Sequence, residues 1–467
     1  MIKRFYATKD NTITNAFKED LVTRGTGSNM GSSDVLEVFS IYAQASDTSS
    51  ELTRFLIEFP ISEVSSSRDR GEVPANGDVS WYLRVFNARH SQPVPSAYTL
   101  EVKALSAAWE EGYGLDMENY EDVTLDGVGS NWINRAEGQT WSTEGGDYHA
   151  TPAFTQYLTG GLEDLEVDVT SLVEEWITGS ANGGKDNYGF IVKLTDAHEA
   201  QAKSYYTKRF FGKDSQFHLQ RPILEARWDS ARRDDRGYFY ASSSLVPASD
   251  NLNTLYLYNS VRGRLRDYPV APTSASIRFT ATGADQAVAE VSRVSTGIYS
   301  ASIAINTTAS TVYDVWYSGS TGYHTGTISV NSFDSAGYNP ESEYVLSMPK
   351  LKNQYRKNQT YRFDLYVREK NWSPNIYTVA TRTSIPSTII PSASFQLRRS
   401  IDDHVVIDYG TGSTSHTMLS YDVSGNYFHL DTSYLESGYL YGLYYSFYDE
   451  DNGWQQQPYS FKFRVID

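Results

Sequence analysis

Between Leu165 and Thr195 (LEVDVTSLVEEWITGSANGGKDNYGFIVKLT) the periodicity of the chain changes twice, and few folds accommodate both changes. Val167 and Val169 alternate with Glu166 and Asp168, the period-two pattern of a half-buried strand. From Ser171 the apolar residues fall four apart, Leu172 with Trp176 and Val173 with Ile177, which gives a short helix one apolar face. Ser171 and Glu174 have capping-box spacing at its start, and Gly179 is placed to close it in a left-handed cap. A turn from Ser180 to Asn187 then leads into a strand at Tyr188-Gly189-Phe190-Ile191-Val192. A helix of about two turns is not stable alone in water. The pattern predicts that it plugs the open end of a β-sandwich.

The same stretch, DVTSLVEEW followed by NYGFIVKL, resembles the signature of the DNRLRE family of jelly-roll domains, which is similar to certain carbohydrate-binding modules. Arg54-Phe55-Leu56-Ile57-Glu58-Phe59 resembles that family's Arg-x-Leu-x-x-Phe strand, and Trp81-Tyr82-Leu83-Arg84-Val85-Phe86 the strand after it. Trp109 and Trp132 resemble its loop tryptophans. The resemblance spans roughly residues 10 to 229, and it implies a jelly-roll sandwich there.

Strand patterns at 35–42, around Phe55, and at 79–88 and 97–104 fit that expectation, with loops at 62–78 and over a long irregular stretch from 106 to 160. Residues 229–237 (DSARRDDRG) read as a charged, turn-rich linker. Beyond it, short strands recur about every 10 residues between Gly, Pro and Asn, the sandwich pattern. The expected fold class is all-β: a jelly-roll sandwich over 1–229, then two smaller immunoglobulin-like β-sandwiches over 238–335 and 340–467.

The formal charge of −17 is uneven. Residues 1–229 hold 35 acidic against 20 basic side chains, while 230–467 hold 22 against 20. Such a first half would repel phosphates, so nucleic acid is not an expected partner. Asp116, Glu118, Glu121, Asp122 and Asp126 read either as a solvated acidic loop or as oxygen ligands for calcium, without EF-hand spacing. With no Cys there are neither disulfides nor thiolate metal sites. The start MIKRFYATKD lacks the apolar core of a signal peptide, and no apolar run approaches membrane-helix length. Synthesis in the cytoplasm without export, and no membrane partner, are the expectations.

The third unit carries a second resemblance. MPKLKNQYRKNQTYRFDLYVREKNWSPNIYTVAT, residues 348–381, and the tyrosine-rich end YDVSGNYFHLDTSYLESGYLYGLYYSFYD resemble stretches of virion structural proteins from large contractile-tailed, notably marine, phages. That resemblance implies a part in a tail, neck, baseplate or head-associated assembly. It is consistent with a chain that carries no export signal and leaves the cell by lysis.

Catalysis is not expected. The eight His are scattered with no metal spacing, and there is no nucleophile elbow or Walker loop. Acidic pairs such as Glu110-Glu111 and Glu174-Glu175 read as solvated faces, although glycosidase carboxylates meet only in a fold. Trp109, Trp132 and Trp141, with Tyr113 and Tyr120, either pack loops and face a subunit or stack on sugar rings. Arg262, Arg264 and Arg266 alternate along one edge, suited to an acidic partner or to guarding the edge against strand addition. Trp372 and Trp454 read as core or interface anchors. The expected role is therefore a structural virion protein that contacts copies of itself and other virion proteins. The alternative is an adhesin that binds host polysaccharide.

Overall fold

The computed structural model describes residues 1–90, 94–115, 129–331, 342–370, 375–381 and 387–467. The chain is all-β and divides into two compact units, Ile2–Asp229 and Ser230–Asp467. The expected class is therefore the observed one.

The first unit begins with β1 (Ile2–Tyr6), β2 (Lys9–Thr14), β3 (Val35–Tyr42), β4 (Ser50–Glu58), helix α1 (Ile61–Asp69), β5 (Ser80–Val85) and β6 (Tyr98–Leu105). A small hairpin, β7 (Asn134–Ala136) with β8 (Gln139–Thr140), precedes β9 (Tyr148–Leu158), β10 (Leu165–Asp168) and α2 (Thr170–Thr178). β11 (Phe190–Leu194), α3 (Asp196–Glu199), β12 (Tyr205–Phe211) and β13 (Ile223–Arg227) complete it. One sheet runs β1-β13-β5-β10; the other runs β12-β3-β4-β11-β6-β9, with β2 also on β4. Trp81, Leu83 and Leu224 line the inner face of the first sheet, and Phe55, Ile57, Phe190 and Val192 that of the second, all fully buried. This is the sandwich core.

The short helix sits as its spacing requires, with Leu172, Val173 and Trp176 buried and Trp176 edge-on to Phe190 at 4.6 Å. Its capping differs from expectation. Thr170, not Ser171, opens the helix, and the Asp168 carboxylate accepts from both the Thr170 N–H and its hydroxyl. Glu174 is drawn inward instead of capping: it takes both ends of the Arg68 guanidinium, at 2.7 and 2.6 Å, and the Trp81 indole N–H at 3.0 Å. Gly179 has positive φ but extended ψ, so the left-handed residue is Gly183, at the end of the following 3-10 turn.

The structure adds elements that the sequence patterns do not show, α1 and β9 among them. The 62–78 stretch contains α1, whose apolar face is only Ile61 and Val64 in a serine-rich run. The irregular 106–160 region contains β9, eleven residues at a sheet edge. Its exposure alternates, but the half-buried positions include Gln156 and the exposed ones Ala153 and Tyr157, so the residues lack the apolar alternation that marks a strand buried on one face.

In the second unit, one sandwich comprises β14 (Asn253–Tyr258), the hairpin β15 (Ser260–Val261) and β16 (Arg264–Leu265), β17 (Ser274–Arg278), β18 (Asp285–Glu290), β19 (Ser292–Ser295), β20 (Ile298–Ile303), β21 (Thr311–Ser318) and β22 (Thr321–Ser329). Its sheets are β14-β20-β19 and β18-β17-β21-β22. Leu255, Leu257, Ile277, Tyr299, Val312 and Trp316 form the core between them. The last sandwich comprises β23 (Tyr344–Ser347), β24 (Gln354–Arg356), β25 (Thr360–Glu369), α4 (Ile376–Thr381), β26 (Ala393–Arg399), β27 (His404–Ile407), β28 (Ser420–Asp422), β29 (Gly425–Asp431), β30 (Leu440–Asp449) and β31 (Gly453–Ile466). Its sheets, β23-β25-β29-β28 and β24-β31-β30-β26-β27, meet through aromatic rings. Phe428 stacks on Phe395 with centroids 4.1 Å apart, and Phe363 lies 5.4 Å from Phe463. Aromatic pairs of this kind add to the burial of their area, which accounts for the tyrosine- and phenylalanine-rich sequence here.

Candidate functional site

Side chains alternate along a strand, so β4 and β11 turn a second set of residues away from the sandwich core. Leu56 and Ile191 on that outer face, with Ile13 and Leu105, meet Trp109, Trp132 and Trp141 in a separate apolar cluster. The three indoles retain 4%, 4% and 5% of their exposure. The Trp109 N–H donates to the Tyr188 carbonyl at 2.8 Å and the Trp141 N–H to the Asn131 carbonyl at 2.9 Å. The described residues of the long loop region thus fold over the sheet as a cover, and its tryptophans are the underside. They present no ring face to a sugar and none to another subunit. Of the residues grouped with them, Tyr113 is 81% exposed, and Tyr120 lies outside the described residues.

Charged groups pin this cover down. Arg54 donates to both carboxylate oxygens of Glu199, at 3.1 and 2.8 Å, and to the Gly145 carbonyl at 2.8 Å, with its guanidinium 5.0 Å from the Trp132 ring. Lys193, fully buried, pairs with Asp196 and with Glu199 at 3.3 Å. The Lys193 ammonium holds the Asp196 carboxyl below its ordinary range. An open groove of about 530 Å³ beside the cover is lined by Arg54, Ser142, Glu144, Asp147 and Tyr148. Its cation is already committed to internal acceptors.

A second buried acid lies at the start of β2. Asp10 is fully buried; its Oδ2 accepts the Lys213 backbone N–H at 2.6 Å, while Oδ1 has no hydrogen-bond partner. Burial pushes its pKa up to about 7, against the opposing pull of Lys213.

The segment expected as a linker is bonded to both small sandwiches of the second unit. Residues 232–234 run beside β28: the Tyr421 N–H donates to the Arg232 carbonyl at 2.9 Å and the Asp234 N–H to the Tyr421 carbonyl at 3.0 Å. Asp235 joins the two small sandwiches through one carboxylate. Its Oδ1 accepts the Tyr421 hydroxyl at 2.7 Å from the last sandwich, and its Oδ2 accepts the Thr254 N–H at 2.6 Å from the middle one. Arg236 then reaches into the middle sandwich and grips Asp314 bidentately, at 2.7 and 2.7 Å. Asp314 is 1% exposed and also accepts the Trp316 indole N–H at 2.8 Å. Burial raises the Asp314 pKa, but the Arg236 guanidinium outweighs it and the net direction is down. Gly326 permits the approach, since a Cβ there would lie 2.6 Å from Asp314 Oδ1 and 2.7 Å from Arg236 Nη1. Burial raises Asp235, and raises Asp234 to about 6. Charge and turn residues mark this stretch as a linker; nothing in it signals that Asp235 bonds Tyr421 and Thr254 or that Arg236 bonds Asp314. An open groove of about 550 Å³ beside the joint is lined by Arg233, Asp235, Tyr238, Tyr240, Thr254 and Tyr421.

Of the remaining predicted residues, Arg262, Arg264 and Arg266 are exposed on the β15–β16 hairpin and its exit. Trp454 is half-buried on β31 and packs edge-on against Tyr448 across the strand pair at 5.6 Å, at the end of a hairpin and not in a core. Trp372 and the calcium candidates Asp116, Glu118, Glu121, Asp122 and Asp126 lie outside the described residues. Among the described residues, no group of three His, Cys, Asp or Glu is placed to hold a metal ion. No helix among them is long and apolar enough to cross a membrane.

No family model matches the chain, and no curated protein matches it. Solved structures similar to it include a chimeric titin Z1Z2 tandem, 12% identical, covering 46% of this chain and 91% of that one at a TM-score of 0.16. The adhesin InvE of Yersinia pseudotuberculosis is 13% identical over 45% of this chain and 53% of its own, at 0.16. Trypsin-activated alpha-2-macroglobulin from Escherichia coli is 10% identical over 88% of this chain and 24% of its own, also at 0.16. Scores at this level carry no argument about arrangement or role.

Proposed function

We propose that this protein is a non-catalytic structural component of a tailed-phage virion, in the tail, neck, baseplate or head-associated part, acting through contacts with copies of itself and with other virion proteins. The observation that carries the reading is the joint at 232–236. Two of its charged side chains hold the sandwiches, Asp235 bonding one sandwich with each oxygen and Arg236 anchoring in Asp314. A segment built in this way transmits force and fixes spacing, which is what a particle component does. The resemblance of the last sandwich to phage virion proteins points the same way. The adhesin alternative loses its expected platform, because Trp109, Trp132 and Trp141 form the inside of the loop cover. Quantitative mass spectrometry of gradient-purified particles tests the proposal. The protein should be present at a fixed copy number per particle and absent from washes; its absence from intact particles would overturn the reading.

A further inference from the structure

The hairpin from Ser260 to Leu265 stands out from the middle sandwich with every residue exposed. Its base is fixed. The Asn259 side-chain N–H donates to the Arg266 carbonyl at 2.7 Å, and the Arg266 N–H donates back to the Asn259 carbonyl at 3.1 Å. The two turn residues, Arg262 at φ 52° and Gly263 at φ 76°, both lie in the left-handed region. Such two-residue turns favour Asn, Asp or Gly at the first position, since longer side chains without a local hydrogen bond resist positive φ. An arginine there is costly for the backbone, so the reason for it lies in the side chain. Arg262, Arg264 and Arg266 form no ion pair among the described residues, and no acid stands between Asn259 and Arg266. Val261 and Leu265 beside them are 46% and 44% exposed.

The complement is the cover over the tryptophan layer. Glu110, Glu137 and Glu144 are exposed on it and form no ion pair among the described residues. The Glu137 N–H donates to the Glu110 carboxylate at 3.3 Å, so these two are neighbours. Apolar groups stand on the same cover, with Tyr113, Leu115 and Ile133 at 81%, 50% and 37% exposure. We infer that the arginine hairpin of one copy docks on the acidic cover of a second copy. This inference rests on the structural reading and names a partner for it. The contact joins two different surfaces, so it is head-to-tail and continues into a ring or a filament.

Sedimentation velocity of the full chain tests this. Association should rise with concentration and weaken with salt, as exposed charges are screened. R262E/R264E/R266E and E110K/E137K/E144K should each associate roughly 100-fold more weakly, and a mixture of the two should pair again because one interface has its signs exchanged and matched. R262N separates a structural role from a docking role: it should raise Tm by relieving the turn and still weaken association. A wild-type chain that stays monomeric, reversals without effect, or a mixture that does not pair would overturn the inference. So would binding of the hairpin to a DNA oligonucleotide by a chain that does not self-associate. A monomeric chain found in purified particles overturns this contact and leaves the structural reading standing. A self-associating chain absent from particles does the reverse.

Discussion

Removing Arg236 tests the joint at its strongest point. In Arg236→Ala the Asp314 carboxylate, 1% exposed, keeps only the Trp316 indole N–H at 2.8 Å and loses two charge-assisted bonds of 2.7 Å. Breaking one side of a buried pair costs about 3–5 kcal/mol, mostly because the other charge is stranded. Since the Arg236 side chain is itself 19% exposed, the lower end applies, about 3 kcal/mol, or about 6–12 °C in Tm for a unit of this size. The pH dependence follows from the sign of the Asp314 shift. In the wild type its pKa is depressed, so the pair stabilises above the unfolded-state value of 3.8 and is lost as pH falls through the folded value. In the variant, burial without the guanidinium raises that pKa, so Asp314 protonates first and the deficit narrows as pH falls towards about 4. Equilibrium urea unfolding of the full chain at pH about 7 and about 4 reads both effects. A loss under about 1 kcal/mol, or one that does not change with pH, would refute the reasoning.

Trp176→Ala should cost about 3–5 kcal/mol, because the ring is 4% exposed and packs on Phe190, whereas Trp176→Phe should cost less than about 2 kcal/mol. The difference arises because Phe keeps an aromatic ring against Phe190 and leaves a smaller cavity, while both changes remove the unpartnered indole N–H alike; equal losses in denaturant titration would argue against it. Asp10→Asn should gain stability over the wild type as pH rises from about 4 to about 7, since the raised folded pKa of Asp10 makes its ionisation unfavourable in the native state. Melting curves that stay parallel across that range would show that Asp10 ionises without penalty.

What could be read in the sequence was whatever repeats locally. The Leu165–Thr195 segment announced its strand, helix and strand because burial on one face imposes a period, and Leu172, Val173 and Trp176 sit on the buried face as expected. Its caps were misassigned, since Glu174 had the spacing to bond its own helix and a stronger partner, Arg68, arrived from α1. The tryptophan layer was visible as residues but not as a place. Trp109, Trp132 and Trp141 are spaced by loops, and only the outward turn of Leu56 and Ile191 shows that β4 and β11 need covering on both faces. The clearest signal available was the apolar run Phe190-Ile191-Val192 in β11, which fits a strand buried on both sides. The joint at 232–236 was hidden for the opposite reason. Buried charge and solvated charge are spelled with the same letters, and Asp235 differs from a linker aspartate only through Tyr421 and Thr254.

The central claim is that the two small sandwiches are held in one fixed relation through Asp235 and Arg236. The chain contains no native Cys, so two spin labels can be placed without background, at Ser320→Cys on the middle sandwich and Lys462→Cys on the last, both exposed. Pulsed electron double resonance then measures the distance distribution between them in solution. A fixed joint gives one narrow distribution that broadens when Arg236→Ala is added. A broad distribution in the otherwise native chain, unchanged by Arg236→Ala, would contradict the claim.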